Sequence, residues 1–317
     1  MKKIFWRSKE NKLPPPDANF FVQPFRGDRI SFKPEIIESL PLPCDPILVT
    51  SRRDGPNKVE WICAVEKALH QIEQGNLQKV VLARQTIFTL AEIPDPFRIA
   101  AALEKKTPAA GLFCLQFNEK TAFLGASPER LFQRKGNEIL VDALAGTRRQ
   151  EPGMDLELLS SEKDRREFDF VQSYLYEILR PFCSGPLSFS NVALHNAANV
   201  QHLFSQGKGI LTEHFSDLQL LDQLHPTPAV CGTPKSVATD WIETEERFDR
   251  NLYAGVIGWN TPDESDWTVA IRSCFLTGTT ACLYTGTGIV AGSDPEKEWD
   301  ELEAKLALYK EIFSCGH

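Results

Sequence analysis

Apolar residues recur at helical spacing in three long stretches of this chain, with strand-like runs between them. From Val59 onward, Trp61, Ile62, Val65, Leu69 and Ile72 share one face and stop at Gly75, which predicts an amphipathic helix. A longer helix is predicted at about 155–181, with Leu158, Leu159, Phe168, Val171, Leu175 and Ile178 as its buried stripe and Pro181 as its stop. A third opens at Pro295 behind a capping Asp294, and Trp299, Leu302, Leu306, Tyr309 and Phe313 repeat along it. Shorter helices are predicted at 97–105 and 216–224. The run KVVLARQTIFTL (79–90) is β-branched and apolar, as in a buried strand. Between 111 and 145 the segments GLFCLQF, TAFLGAS, ERLFQRKG and NEILVDALAG read as short strands, the last two joined in a hairpin at Lys135–Gly136–Asn137. Residues 190–205 and 209–213 read as strands, and 253–260, 266–276 and 281–290 as strands in meander order.

Strand clusters joined by hairpins, with long helices between them, predict an α+β fold of antiparallel sheets packed with helices. Residues 1–57 are weakly periodic and carry proline at 14–16, 41, 43 and 46. They are expected to form an irregular arm laid over a main body that runs from 58 to 317. A chain of 317 residues can bury one large core or two medium ones, and 42% apolar with 25% charged residues is ordinary for a globular protein. The net charge of −8, with no basic stripe, counts against nucleic acid as a partner. No run approaches the roughly 20 apolar residues of a membrane helix. The opening MKKIFWRSKENK lacks the apolar core of a signal peptide. A cytoplasmic monomer is the default expectation. The eight cysteines show no C-x-x-C pair and read as reduced, small hydrophobic residues.

Two helices carry acidic pairs at three-residue spacing: Asp164 with Glu167, and Glu298 with Glu301, followed one turn later by Lys305. Carboxylates from two helices can converge on a hard divalent cation, although spacing alone fits solvated helix faces better. TGTGIVAGSDP (285–295) places Gly286, Gly288 and Gly292 ahead of the last helix, where backbone amides could meet an anion; it lacks phosphate-loop spacing. Lys79 opens an apolar strand and could be a base if burial lowers its pKa, and Glu129 in SPER could be an acid if kept dry. His202 and His225 are further candidates, although an isolated histidine is more often a satisfied core or surface residue. Arg272, set among apolar neighbours, calls for an anionic partner.

In order along the chain, KVVLAR (79–84), FLGASPERL (123–131), LAGTRR (144–149), SEKDRREFDFV (161–171), HLFS (202–205), LHPTPAVCGTP (224–234), FDRNLYAGVIGW (248–259), VAIRS (269–273) and TGTGIV with EWDELEAKL (285–306) resemble the chorismate-utilising enzymes. That family includes isochorismate synthases, salicylate synthases and the large subunits of anthranilate synthases. The resemblance covers roughly residues 58–313 and implies the anthranilate synthase component I-like α/β sandwich. It implies Mg²⁺ as cofactor, with Glu167 and Glu301 as direct ligands and Asp164 and Glu298 as the outer pair. It makes Arg272, Lys305 and the amides of Gly286 and Gly288 binders of substrate carboxylates, with His202 and Gly146 lining the pocket. Lys79 matches the base that activates water, and Glu129 is expected to be the acid that protonates the leaving C4 hydroxyl. The reaction implied is therefore that of an isochorismate synthase, with no amidotransferase subunit required. A salicylate synthase and a non-catalytic chorismate-binding protein are the alternatives. Phe168 departs from the histidine many members place there, and the pathway taking the product, menaquinone or siderophore, stays open.

Overall fold

The computed structural model describes residues 2–150, 154–197, 199–212 and 215–315. The first half comprises β1 (Lys3–Arg7), β2 (Asn19–Gln23), β3 (Ile30–Phe32), β4 (Glu35–Ile36), β5 (Ile47–Gly55), α1 (Lys58–Glu73), β6 (Lys79–Leu90), α2 (Pro96–Lys106), β7 (Gly111–Asn118), β8 (Thr121–Ser127), β9 (Arg130–Lys135) and β10 (Glu138–Arg149). The second comprises α3 (Met154–Ser160), α4 (Glu162–Leu179), β11 (Ser188–Phe189), β12 (Ala193–Ala197), β13 (Val200–Ile210), α5 (Asp217–Leu224), β14 (Gly232–Thr233) and α6 (Lys235–Glu245). It ends with β15 (Val256–Asn260), β16 (Glu264–Val269), β17 (Ser273–Thr277), β18 (Thr280–Val290), α7 (Pro295–Lys310) and β19 (Phe313–Cys315).

The strands form two sheets. One runs β19-β5-β6-β18-β17-β8-β7-β1-β4, with β14 beside β6; the other runs β11-β13-β10-β9-β16-β15-β2-β3, with β12 beside β13. Pairing is antiparallel except where β4 meets β1 and β19 meets β5. One apolar cluster joins the sheets directly, through Ile4, Phe113 and Phe123 of the first and Phe20, Ile257 and Trp259 of the second. A second cluster seats α2 and α7 on the first sheet through Ile99, Leu103, Leu306 and Tyr309. The third lies under α1 and α4, around Trp61, Val65, Phe168, Val171 and Leu175. This is the expected antiparallel sandwich with helices packed outside it. Among the described residues no helix is long and apolar enough to cross a membrane.

Several expectations need correction, among them the last helix, which ends at Lys310 and leaves Phe313 to β19. The segment before residue 58 is not wholly irregular: its described residues supply five strands, and β1 and β2 lie inside the two sheets. Short strands between prolines are too brief to show a period. The long helix predicted at 155–181 is two, because the Ser161 hydroxyl accepts the Asp164 N–H and starts α4 afresh. The meander is split: β15 and β16 belong to one sheet, β17 and β18 to the other. Apolar character continues through Ala270 and Ile271, which hides the crossing from any periodicity argument. Gly286 and Gly288 lie within β18 rather than in a loop. Of the strand expected at 209–213, β13 covers 209 and 210, and residue 213 lies outside the described residues.

Candidate active site

The chain passes between the sheets twice in close proximity. Pro128 and Glu129 connect β8 to β9, and Ala270–Arg272 connects β16 to β17. The two crossings hydrogen-bond: Val269 N–H donates to Glu129 O at 3.2 Å, and Ala126 N–H donates to Arg272 O at 3.2 Å. Arg272 takes φ +51°, a left-handed conformation rare for a side-chain-bearing residue, and the Tyr309 hydroxyl holds its carbonyl at 2.9 Å. Gly125 allows this approach, since a Cβ there would stand 2.9 Å from Arg272 O. Crossing points leave the ladders, so their side chains turn into the space between sheets.

That space is a cavity of about 60 Å³, lined by Glu129, Glu167, His202, Arg272, Gly286, Gly288 and Lys305, with Thr147, Tyr253 and Thr287 among the others. The edge of β18 supplies its amides. Val81 N–H donates to Cys231 O and Ala83 N–H to Glu246 Oε1, so neither faces β18. Their antiparallel partners Gly288 and Gly286 therefore also turn their N–H and C=O groups outward, on the opposite edge. Gly286 O is there taken by Lys305 Nζ at 2.7 Å. Gly288 has a further reason to be glycine: a Cβ would run into the Glu167 carboxylate and come within 2.8 Å of Lys79 Cε.

Burial sets the charges. Lys79 is fully buried, and its Nζ lies 3.2 Å from Glu167 Oε1 without hydrogen-bond alignment or another partner. Burial lowers its pKa, and Glu167 only partly opposes the shift. Glu129 is 3% exposed, and burial raises its pKa from 4.5 to about 8, against the pull of Lys79. Arg272, also lowered by burial to about 10, points Nη2 at His202 Nε2 across 3.2 Å. A guanidinium can only donate, so Nε2 accepts and the remaining proton sits on Nδ1, 3.0 Å from Thr147 Oγ1. His202 is thus a neutral imidazole, and burial beside Arg272 lowers its pKa further.

The four acidic residues of the two helices are gathered around a lysine. Lys163 Nζ lies 2.8 Å from Glu298 Oε1, 3.8 Å from Asp164 Oδ1 and 4.0 Å from Glu167 Oε2. Burial would lower its pKa, but Glu298, Glu167 and Glu301 outweigh that and hold it above the usual lysine range. Thr287 Oγ1 stands 2.6 Å from Glu298 Oε2 and 2.9 Å from Glu301 Oε1. Burial raises the pKa of Glu298 and Asp164, whereas Lys305 and Lys163 overcome burial and lower that of Glu301. In this arrangement no three acidic, histidine or cysteine side chains among the described residues are close enough to chelate an ion. The donor set still fits a hard cation. It offers three buried carboxylates and the part-buried Glu301, and both oxygens of Asp164 lack a hydrogen-bond donor, although Arg148 Nη2 lies 2.7 Å from one.

Of the residues expected from sequence, Glu129, Glu167, His202, Arg272, Gly286, Gly288 and Lys305 line the cavity. Lys79 abuts it behind Gly288. Asp164, Glu298 and Glu301 stand outside its lining: Asp164 is connected to Glu167 through Lys163, Glu298 contacts Thr287, and Glu301 contacts Thr287 and Lys305. Gly146 forms the bulge in β10 at φ +68°, and a Cβ there would meet Asp164 at 3.1 Å; Ala145 and Thr147 on either side face the cavity. His225 is buried with neither ring nitrogen bonded, edge-on to Phe25, which is the core reading. Sequence reasoning missed Lys163, Thr287 and Tyr253. All three sit inside the quoted motifs, and Lys163, directly before Asp164, could have been found by asking what balances the acidic residues. The largest cavity described, about 490 Å³ between α1, β6 and residues 245–248, collects no such set, and its charged Lys67 and Glu245 pair with each other.

This fold and site define a chorismate-binding enzyme: the family model of that description matches residues 38–313, and the chain belongs to the family. Isochorismate synthase 2, chloroplastic, of Arabidopsis thaliana is 40% identical over 273 residues, covering 83% of this chain and 48% of the relative. Isochorismate synthase MenF of Escherichia coli (strain K12) is 33% identical over 319 residues, covering 97% of this chain and 73% of that one. Its solved structure, described as menaquinone-specific, superposes with a TM-score of 0.79 over 86% of this chain and 65% of that chain. Anthranilate synthase component I from Streptococcus pneumoniae, 23% identical with a TM-score of 0.74 over 86% of this chain and 61% of that one, shares the fold. The chain spans about half the length of the plant relatives it matches.

Proposed function

We propose that this chain is an isochorismate synthase, converting chorismate to isochorismate by adding water at C2 with loss of the C4 hydroxyl. The observation that carries the reading is a buried amine and a buried carboxyl, both shifted toward their neutral forms, at one cavity with anion-binding groups. Relatives named isochorismate synthases over most of the chain support it. Chorismate is a dianion, which Arg272, Lys305 and the outward amides of Gly286 and Gly288 are suited to hold. Lys79, unprotonated, takes a proton from water as it adds to C2. Glu129, protonated, gives one to the departing C4 oxygen while the ring double bonds shift. The two roles need opposite protonation states at one pH, which burial supplies to both groups.

Mg²⁺ is the proposed cofactor. Glu167 and Glu301 would hold it directly, with Asp164 and Glu298 as the outer pair and Lys163 giving way. When bound, it supplies a Lewis acid that withdraws charge from a substrate carboxylate. The nucleophile is water, so no amidotransferase partner is needed, and the proposal extends to a monomer. Among the described residues seven cysteines are free thiols, as suits the proposed cytoplasmic location.

The test is purified protein with chorismate and Mg²⁺, products separated by chromatography, alongside an EDTA control. Metal-dependent isochorismate is expected. Salicylate with pyruvate would make it a salicylate synthase, and binding without any product would make it a non-catalytic chorismate binder. Lys79→Ala should lower turnover by roughly 10²- to 10⁴-fold. Near-full activity in that variant would remove Lys79 from the role of base.

A further inference from the structure

The turn that carries Glu129 is held on both sides by one short segment of the N-terminus. Lys9, just past β1, places Nζ 2.8 Å from Pro128 O and 2.6 Å from Asp142 Oδ2 on β10. Asp142 is 2% exposed, and the Lys9 ammonium also lies 5.3 Å from the Phe204 ring, so this ion pair is largely shut off from water. The next residue, Glu10, takes both oxygens to Arg130 Nη2 at 2.6 and 2.5 Å, and Arg130 also faces Asp266 at 3.4 Å. Residues 8–12 are themselves fixed: Ser8 N–H donates to Lys12 O, and Asn11 N–H to Ser8 O. Pro128 and Arg130 are the immediate neighbours of Glu129. Two consecutive residues some 120 positions away in sequence therefore grip the peptide before the carboxyl and the side chain after it. Both lie outside the stretch that matches the family model.

We propose that Lys9 is a positioning residue for the reaction, its ammonium bridging Asp142 and the Pro128 carbonyl so that the Glu129 carboxyl stays aimed into the cavity. This rests on the assignment of Glu129 as proton donor. A carboxyl at a sheet crossing has no ladder to fix it, and a small displacement from the leaving oxygen is costly to rate. Lys9 and Asp142 also act on Glu129 electrostatically, in opposite directions, together with Lys79 and Lys305.

The experiment compares Lys9→Met, Lys9→Arg, Asp142→Asn and Glu129→Gln in the full chain with Mg²⁺ and chorismate, across pH. Lys9→Met should lower kcat roughly 10- to 100-fold with little change in KM, and Lys9→Arg should recover most of the loss. Because Asp142 is left unbalanced in Lys9→Met, the alkaline limb of the rate profile should move to higher pH. In Asp142→Asn the unbalanced charge is Lys9, and the limb should move lower. A merely structural role would lower thermal stability in both without opposite limb movements, and that result would overturn the proposal. So would a Lys9→Met enzyme with unchanged kcat and profile. If Glu129→Gln is inactive while Lys9→Met is normal, only the clamp is wrong. If Glu129→Gln remains active, the acid assignment fails and the clamp with it.

Discussion

Replacing Glu129 by glutamine should make the protein more stable above neutrality while removing its turnover. The folded-state pKa of this carboxyl is raised by burial from 4.5 to about 8. A group with its pKa raised in the folded state contributes stability that is complete below the unfolded value and declines as pH rises through the folded one. Below about pH 4.5 both states hold the proton. Between 4.5 and 8 the unfolded chain releases it and the folded chain does not, so wild-type stability falls by about 1.4 kcal/mol per pH unit. Above 8 the loss levels off at roughly 5 kcal/mol, an order-of-magnitude figure for a group this buried. Glutamine keeps the shape and has no such dependence. For a chain of this length that plateau corresponds to roughly 7 °C in Tm. Thermal denaturation of both proteins from pH 4.5 to 9 should show a gap that widens in the variant's favour and then flattens near pH 8, with turnover down roughly 10²- to 10⁴-fold. Parallel stability curves would refute the argument, because they would mean that Glu129 is no drier than an ordinary carboxylate.

Gly288→Ala should lower turnover far more than stability, since the new methyl meets the Glu167 carboxylate and Lys79 Cε rather than a core neighbour; a variant with wild-type kcat would show that these two side chains can shift without consequence. Ser161→Ala should lower unfolding free energy by about 1 kcal/mol through loss of the α4 cap, read by denaturant titration, and a change within error would mean that packing alone fixes that helix start.

What could be read from sequence was set by period and by motif. The helices α1, α4 and α7 were legible because each buries a broad apolar stripe, and β6 because twelve residues without a breaker admit few other readings. The N-terminal strands were not legible. Their pairing partners are as distant as Phe113 for Trp6 and Trp259 for Phe20, and nothing local announces them. The cavity residues were named through the family resemblance, but their grouping needed tertiary structure. Lys79 and Glu167 come from a strand and a helix 88 positions apart, and only Gly288, on a third element, lets them meet. The clamp on Glu129 shows the same limit more sharply, because Lys9 in SKENK reads as an ordinary surface lysine.

The electrostatic logic of the site follows from placing its working groups at sheet crossings and at a strand mouth. The proposed proton donor Glu129 and acceptor Lys79, at one cavity, would normally exchange the proton and become an ion pair, which could serve neither proposed role. Desolvation prevents that here: it is the largest influence on both Lys79 and Glu129, and it disfavours the charged form of each. Glu167 pulls Lys79 the other way from 3.2 Å, so whatever neutralises Glu167 also frees the base. Lys163 does part of this from 4.0 Å, and a divalent cation on Glu167 would do more. With Glu167 as the proposed cation ligand and Lys79 as the proposed base, cation binding and activation of the base behind Gly288 would be one electrostatic event. The acidity of Lys79 should then respond to Mg²⁺ even before substrate arrives.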